Sequence, residues 1–101
     1  MITLHVYLVP KAGRAAELQA AIRDPWISTM SEQPGFVQAA MLTPFGDEDS
    51  DDIEVVSYWE SEELRLEWVA RPVHDRVFEP IMELAESVSP TVKTVGHSWN
   101  A

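Results

Sequence analysis

Side chains of residues 2–9 alternate along the chain between a wholly aliphatic row and a mixed row. A period of two residues is the pattern of a β-strand, whose successive side chains point to opposite faces of a sheet. Residues 36–43 and 53–59 are predicted to be two further strands, and few charged residues stand in either row of the three. The aliphatic row is Ile2, Leu4, Val6 and Leu8, and the mixed row is Thr3, His5, Tyr7 and Val9.

Helical patterns fill most of the remaining chain. Apolar spacing predicts a helix over residues 14–32, with a kink near Asp24 because Pro25 removes a hydrogen-bond donor. Ser61 is expected to cap the next helix, which ends at Arg71-Pro72. An apolar stripe predicts a further helix over 73–88, followed by a last strand over 91–99.

This order of elements predicts an α+β fold, a ferredoxin-like βαββαβ domain with helices on one face of a four-stranded antiparallel sheet. A chain of 101 residues fits a single domain, which we assign to residues 1–101. Helices on one face leave the other face uncovered, and that face is poor in charge. A second copy of the chain is the simplest cover, so we predict a homodimer.

Composition excludes several classes of function. The 7 Lys and Arg residues against 17 Asp and Glu residues give a net charge of −10, which disfavours nucleic acid and anionic membranes as partners. The chain has no cysteine, and its three histidines share no metal-ligand spacing, so we expect no metal site. No signal peptide or membrane-spanning run is evident, and we expect a cytoplasmic protein.

Three segments carry a family resemblance: Pro34-Gly35-Phe36, residues 55–61 and residues 71–75 with Phe78 following. In these segments and in its order of elements, the chain resembles the antibiotic-biosynthesis monooxygenase family over residues 2–95. The resemblance implies domains paired sheet to sheet as a dimeric α+β barrel. It also implies a cavity between sheet and helices in which members oxygenate electron-rich aromatic substrates, in many cases without metal or flavin.

The resemblance suggests three catalytic residues, each with a simpler structural alternative. His74 is the candidate proton acceptor, because an unperturbed histidine titrates near neutrality, and its alternative is a surface histidine near a helix N-terminus. Trp59 is expected to stack on the ligand and offer its indole N–H, or else to be a core side chain. Tyr7 is expected to orient a ligand oxygen, or to lie at the dimer interface. It reaches the cavity only if the mixed row faces the helices.

Four further residues are expected to bind substrate: His5, Ser57, Trp68 and Phe78. The heme-degrading branch of the family has a histidine where Phe78 stands and an asparagine near the position of Tyr7, so the resemblance favours chemistry without heme or another cofactor. We therefore predict a cofactor-independent monooxygenase acting on a small aromatic or quinol-type ligand. The alternative is a non-catalytic dimer of the same fold that binds a small ligand or is purely structural.

Overall fold

The computed structural model describes residues 1–46 and 49–101, so Asp47 and Glu48 of the acidic loop lie outside the described residues. Its sheet has the strand order β2-β3-β1-β4, and each pair of neighbours is antiparallel. The α+β, ferredoxin-like arrangement expected from the sequence is confirmed. The strands are β1 (Ile2–Pro10), β2 (Phe36–Leu42), β3 (Ile53–Trp59) and β4 (Ala85–Thr94).

The first helical region is broken where the sequence predicts a kink. A short helix α1 (Ala15–Ala21) runs into a π-helical segment (Ile22–Ile27) and then into α2 (Ser28–Met30). Asp24 has extended backbone angles, φ −152° and ψ 119°, and Pro25 follows it. Proline at this point removes one helical hydrogen bond, so the chain changes direction and then resumes the helix.

Two helices follow β3. Helix α3 (Glu62–Ala70) begins as predicted at Ser61, whose Oγ accepts a hydrogen bond from the Leu64 N–H at 3.2 Å. Arg71 is extended, and Pro72 occupies the first turn of α4 (Pro72–Leu84), where a missing N–H costs nothing. Within residues 1–46 and 49–101, the helices are too short and too polar to cross a membrane.

The start of the last strand differs from the sequence prediction. The apolar stripe predicts helix as far as Val88, yet α4 ends at Leu84 and β4 begins at Ala85. Pro90 lies inside β4, opposite Val6 of β1. A strand at the edge of a sheet tolerates proline because one side of it has no partner to bond. The strand ends at Thr94, so His97 and Trp99 lie beyond it.

Strand register decides which row of β1 faces the helices. Val6 and Leu8 are buried in the core, whereas Tyr7 pairs with Glu54 on the outer face of the sheet. In β2 the register shifts between Phe36 and Gln38, so Phe36 turns inward against the ring of Trp59 at 5.7 Å. The core is completed by Leu18, Ile22, Trp26, Met30, Ile53, Val55, Trp59, Trp68, Val77, Ile81, Leu84 and Ala85.

Gly35 is fixed by two requirements. Pro34 and Gly35 occupy the centre of a turn closed by the Phe36 N–H and the Gln33 carbonyl at 3.2 Å, and Gly35 has φ +88°. A Cβ at this position would lie 2.6 Å from the Leu64 Cβ and 2.7 Å from its Cδ1. Both the turn and the start of α3 therefore require glycine here.

We predict that Gly35→Ala lowers the free energy of unfolding by about 2–5 kcal/mol, because backbone strain adds to overpacking. Gly13→Ala is the matched control, since Gly13 has φ +75° but nothing within 4 Å of its would-be Cβ. Strain alone should cost the control about 1–2 kcal/mol. Urea unfolding measures both, and equal losses would contradict the contact with Leu64.

Candidate active site

A partly open cavity of about 230 Å³, called the interior cavity below, lies between the sheet and the helices. Its wall is mostly apolar, with polar side chains from Arg65 and His74. An apolar hollow with a few polar groups is the usual form of a small-molecule site. The lining residues are Leu4 and Val6 of β1, Trp26, Arg65 and Val69 of α3, His74 and Phe78 of α4, and Val88 and Pro90 of β4.

His74 lies in the first turn of α4, and its side chain is 17% exposed. Its Nδ1 lies 3.2 Å from Oδ1 of Asp75, and because a carboxylate only accepts, Nδ1 carries the proton. With Nδ1 bonded to Asp75, Nε2 is the ring nitrogen left to accept a proton. Phe78 stands one turn further along α4 and stacks on the imidazole at 5.7 Å, with an interplanar angle of 15°. His74 is thus an oriented base beside an aromatic wall.

Arg65 contributes a positive charge to the cavity wall. Its Nε and Nη2 donate to the two carboxylate oxygens of Glu62 at 2.8 and 2.5 Å, and its side chain is 12% exposed. These hydrogen bonds hold the pKa of Glu62 below its usual range. The pair orients the guanidinium and reduces, without removing, its electrostatic effect inside the cavity.

Trp26 is a part of the site that the sequence analysis missed. The residue is 2% exposed, and its ring meets that of Phe78 edge to face at 5.1 Å. Its indole Nε1 is buried and has no hydrogen-bond partner among the described residues. A buried donor left unbonded costs about 1–3 kcal/mol. The sequence did carry one indication of this position, because Trp26 directly follows the helix-breaking Pro25. At such a kink the chain changes direction, and here the large side chain turns inward.

Trp59 and Ser57 lie in the core and are not among the residues that line this cavity. Trp59 is fully buried, and its Nε1 donates to the Ser57 Oγ at 3.0 Å. Trp68 is also buried and contacts His74 edge to face at 5.1 Å, although it is not among the cavity-lining residues. Trp68 therefore packs against the imidazole of the candidate base without lining the cavity.

Tyr7 and His5 lie on the opposite face of the sheet, because the aliphatic row of β1 faces the helices. The Tyr7 hydroxyl donates to Oδ2 of Asp52 at 2.7 Å, and this hydrogen bond raises the pKa of Tyr7 above its usual value. The Nδ1 of His5 lies 3.5 Å from Oε1 of Glu54. Tyr7 borders an open outer groove of about 370 Å³ that also includes Leu42, Phe45, Asp52 and Glu54.

The residues predicted from the sequence are therefore divided among three places. His74 and Phe78 share the interior cavity, with Trp68 against His74; Trp59 and Ser57 pair within the core; and Tyr7 and His5 lie on the outer face. Among residues 1–46 and 49–101, no three or more His, Cys, Asp or Glu side chains are grouped to hold a metal ion. The interior cavity, with a base and a cation, is the candidate active site.

Comparisons with known proteins agree with this architecture. A sequence model described as Antibiotic biosynthesis monooxygenase matches residues 1–80. A comparison with curated proteins gives no match.

Solved structures give further matches. A putative antibiotic biosynthesis monooxygenase from Deinococcus radiodurans superposes with a TM-score of 0.83 at 16% identity, covering 100% of this chain and 98% of that chain. SnoaB, a cofactor-independent oxygenase from Streptomyces nogalater, gives 0.80 at 18%, covering 96% and 93%. A putative antibiotic biosynthesis monooxygenase from Nitrosomonas europaea gives 0.80 at 11%, covering 96% and 100%. At these identities the structural matches establish the fold alone.

The hydrogen bond between Trp59 and Ser57 predicts a non-additive effect on stability. Ser57→Ala should lower the free energy of unfolding by about 1–3 kcal/mol, because it leaves the buried Trp59 N–H without a partner. In a Trp59→Phe background the same change should cost less than about 1 kcal/mol, since no donor remains to be satisfied. Denaturant unfolding of the four proteins measures this coupling. Equal costs in both backgrounds would contradict the bond.

Proposed function

We propose that this chain, which belongs to the antibiotic biosynthesis monooxygenase family, is an oxygenase that acts on a small aromatic of phenol or quinol type without a metal or organic cofactor. The observation that carries the proposal is the interior cavity, where the oriented base His74 stands on an aromatic wall beside the Arg65 cation. SnoaB, which has the same fold, is described as a cofactor-independent oxygenase, and this supports the absence of a cofactor.

The volume of the cavity limits the size of the substrate that it can hold. An engineered apolar cavity of about 150 Å³ holds a benzene molecule, whereas sites for drug-sized ligands begin at about 300 Å³. The 230 Å³ available here falls between these two values. We therefore propose a substrate with one ring or two fused rings.

The chemistry begins with a proton transfer to this chain. The Nε2 of His74 takes the proton of a ring hydroxyl, and the resulting anion is stabilised by Arg65 and by the imidazolium that forms. An electron-rich phenolate reduces O₂ directly, so a C–O bond forms at a ring carbon and gives a peroxide. The His74 proton returns to that peroxide, which becomes a hydroperoxide.

The second half of the reaction needs no further reductant. The O–O bond breaks as the same ring carbon loses its proton, and that proton leaves with the departing hydroxide as water. A dihydroxyarene C₆H₆O₂ and O₂ thus give a hydroxyquinone C₆H₄O₃ and H₂O. All four electrons taken up by O₂ come from the substrate, and one oxygen atom enters the product.

Oxygen uptake tests this proposal with one-ring hydroquinones, two-ring naphthols and naphthohydroquinones, and three-ring anthrones, each corrected for its spontaneous oxidation. We expect turnover with the first two classes and incorporation of one atom from ¹⁸O₂. His74→Ala should lower kcat/KM by about 10²–10⁴-fold, the usual contribution of a general base. His97→Ala, which changes an exposed histidine beyond β4, is the matched control and should leave the rate unchanged.

Two outcomes would contradict this mechanism. Unchanged turnover in His74→Ala would exclude His74 as the essential base. Uptake no faster than spontaneous oxidation with every ring would favour the alternative, a non-catalytic ligand-binding protein of the same fold.

We also propose that a second copy of the chain covers the outer face of the sheet as a homodimer. β2 and β3 place Ala40, Leu42, Val56 and Tyr58 on that face, and Leu42 is 48% exposed. At the β4 edge the outer face is polar, and the residues there are Ser87, Ser89, Thr91 and Lys93. The outer face as a whole is therefore more polar than the first three strands suggested. An apolar patch beside a polar margin is the usual form of a protein interface.

Sedimentation should give about twice the chain mass of 11.4 kDa. Leu42→Glu should shift the protein toward monomer without unfolding it, because the change adds charge at the patch beside Glu54. Leu66→Glu on α3 changes a similarly exposed leucine away from the sheet and should leave the dimer intact. A monomeric wild-type chain at micromolar concentration would overturn the proposed dimer.

A further inference from the structure

We infer that Glu62 determines the charge of the ligand that the interior cavity accepts. Its carboxylate compensates the positive charge of Arg65, so the cavity takes uncharged ring hydroxyls and disfavours aromatic carboxylates. This inference rests on the proposed function only in that the interior cavity is the place where the ligand binds. It assigns a role in specificity to a residue outside the set expected from the sequence.

Glu62 and Arg65 form a closely bonded pair on α3. Glu62 lies three positions before Arg65, and its two carboxylate oxygens accept hydrogen bonds from Nε at 2.8 Å and from Nη2 at 2.5 Å. A bidentate contact of this kind is a strong and well-oriented arrangement between a guanidinium and a carboxylate. The bonds hold the pKa of Glu62 below its usual range, so its carboxylate is ionised at neutral pH. The pair therefore carries no net charge.

The two charges of the pair are unequally buried. The side chain of Arg65 is 12% exposed and belongs to the cavity wall, whereas that of Glu62 is 42% exposed. A cation withdrawn from water requires a nearby negative charge, which either the protein or a bound carboxylate can supply. Because Glu62 already supplies it, an anionic ligand would bring an excess negative charge. This effect acts through space, so it requires both charges to lie near the cavity and not to touch the ligand.

Little other positive charge is available at the cavity. Of the described residues that line it, Arg65 and His74 are the two that can carry a positive charge. His74 would have to hold a proton in order to pair with a ligand carboxylate, and a protonated imidazole cannot act as the base. A ring hydroxyl instead enters without charge and gives its proton to His74, so the anion and the imidazolium form together. The charge balance of the cavity therefore fits a neutral phenol or quinol.

Two matched ligands test the inference without any turnover: 2-naphthoate and 2-naphthamide have nearly the same shape and differ by one negative charge. Calorimetry at neutral pH gives the Kd of each for the wild-type chain and for Glu62→Gln. The wild-type chain should bind the amide more tightly. Glu62→Gln should shift the preference toward the carboxylate by about five- to twentyfold, because the charge of Arg65 is no longer compensated.

Glu63→Gln is the matched control, since it removes an exposed carboxylate from the next position of α3. Solvent and salt screen an exposed charge, so the control should shift the preference by less than about twofold. Arg65→Gln keeps the inference testable if Glu62→Gln does not fold. It leaves the Glu62 charge uncompensated, so the preference should move toward the amide by a similar factor. Loss of structure would instead weaken the binding of both ligands together.

Several outcomes would overturn the inference. These are an unchanged preference in either folded variant, an equal shift in the Glu63→Gln control, and a wild-type chain that prefers naphthoate or binds neither ligand. A preference that follows the charge of Glu62, without oxygen uptake by any quinol, would uphold the inference and refute the oxygenase. Oxygen uptake that depends on His74, with a preference that Glu62→Gln leaves unchanged, would do the reverse.

Discussion

The register of β1 is the constraint on which the other features of the molecule depend. β1 pairs with β3 on one side and β4 on the other, so its two rows of side chains determine what lies on each face of the sheet. Burial of Val6 and Leu8 stabilises the fold by about 1.5–3 kcal/mol for each side chain. A slip of one residue would exchange the two rows and bury His5 and Tyr7 instead. The hydrophobic effect therefore fixes an apolar cavity floor on one face and a Tyr7–Asp52 contact on the other.

The helices complete the cavity by two local devices. At Asp24 the first helical region leaves helical geometry, and the chain resumes its turn with Trp26 buried in the cavity wall. At Arg71 the chain between α3 and α4 becomes extended, and α4 then carries the stacked His74 and Phe78 on one face. Both breaks are followed by proline. Local chemistry that interrupts a helix thus positions the aromatic wall of the candidate site.

The fold was more predictable than the site. The sequence predicted the kink at Asp24, the Ser61 cap and the span of β3, because each depends on contacts between near neighbours in the chain. The start of β4 was not predictable in the same way, since Val88 fits a helical stripe as well as a strand that pairs with Leu8. For the site, the sequence placed His74 and Phe78 near a ligand cavity but gave Trp26 no role. An unsatisfied indole N–H becomes visible only when its surroundings are known.

The sequence by itself determined the α+β class, the order of elements and the aliphatic row of β1, because alternation, capping and proline breaks act over a few residues. Tertiary structure alone decided which side of the sheet each row occupies. It placed Tyr7 outside the cavity, paired Trp59 with Ser57 and brought Trp26 against Phe78 across 52 positions of sequence. These outcomes depend on strand register and on packing between distant segments, which set the neighbours of a side chain but leave no local pattern in the sequence.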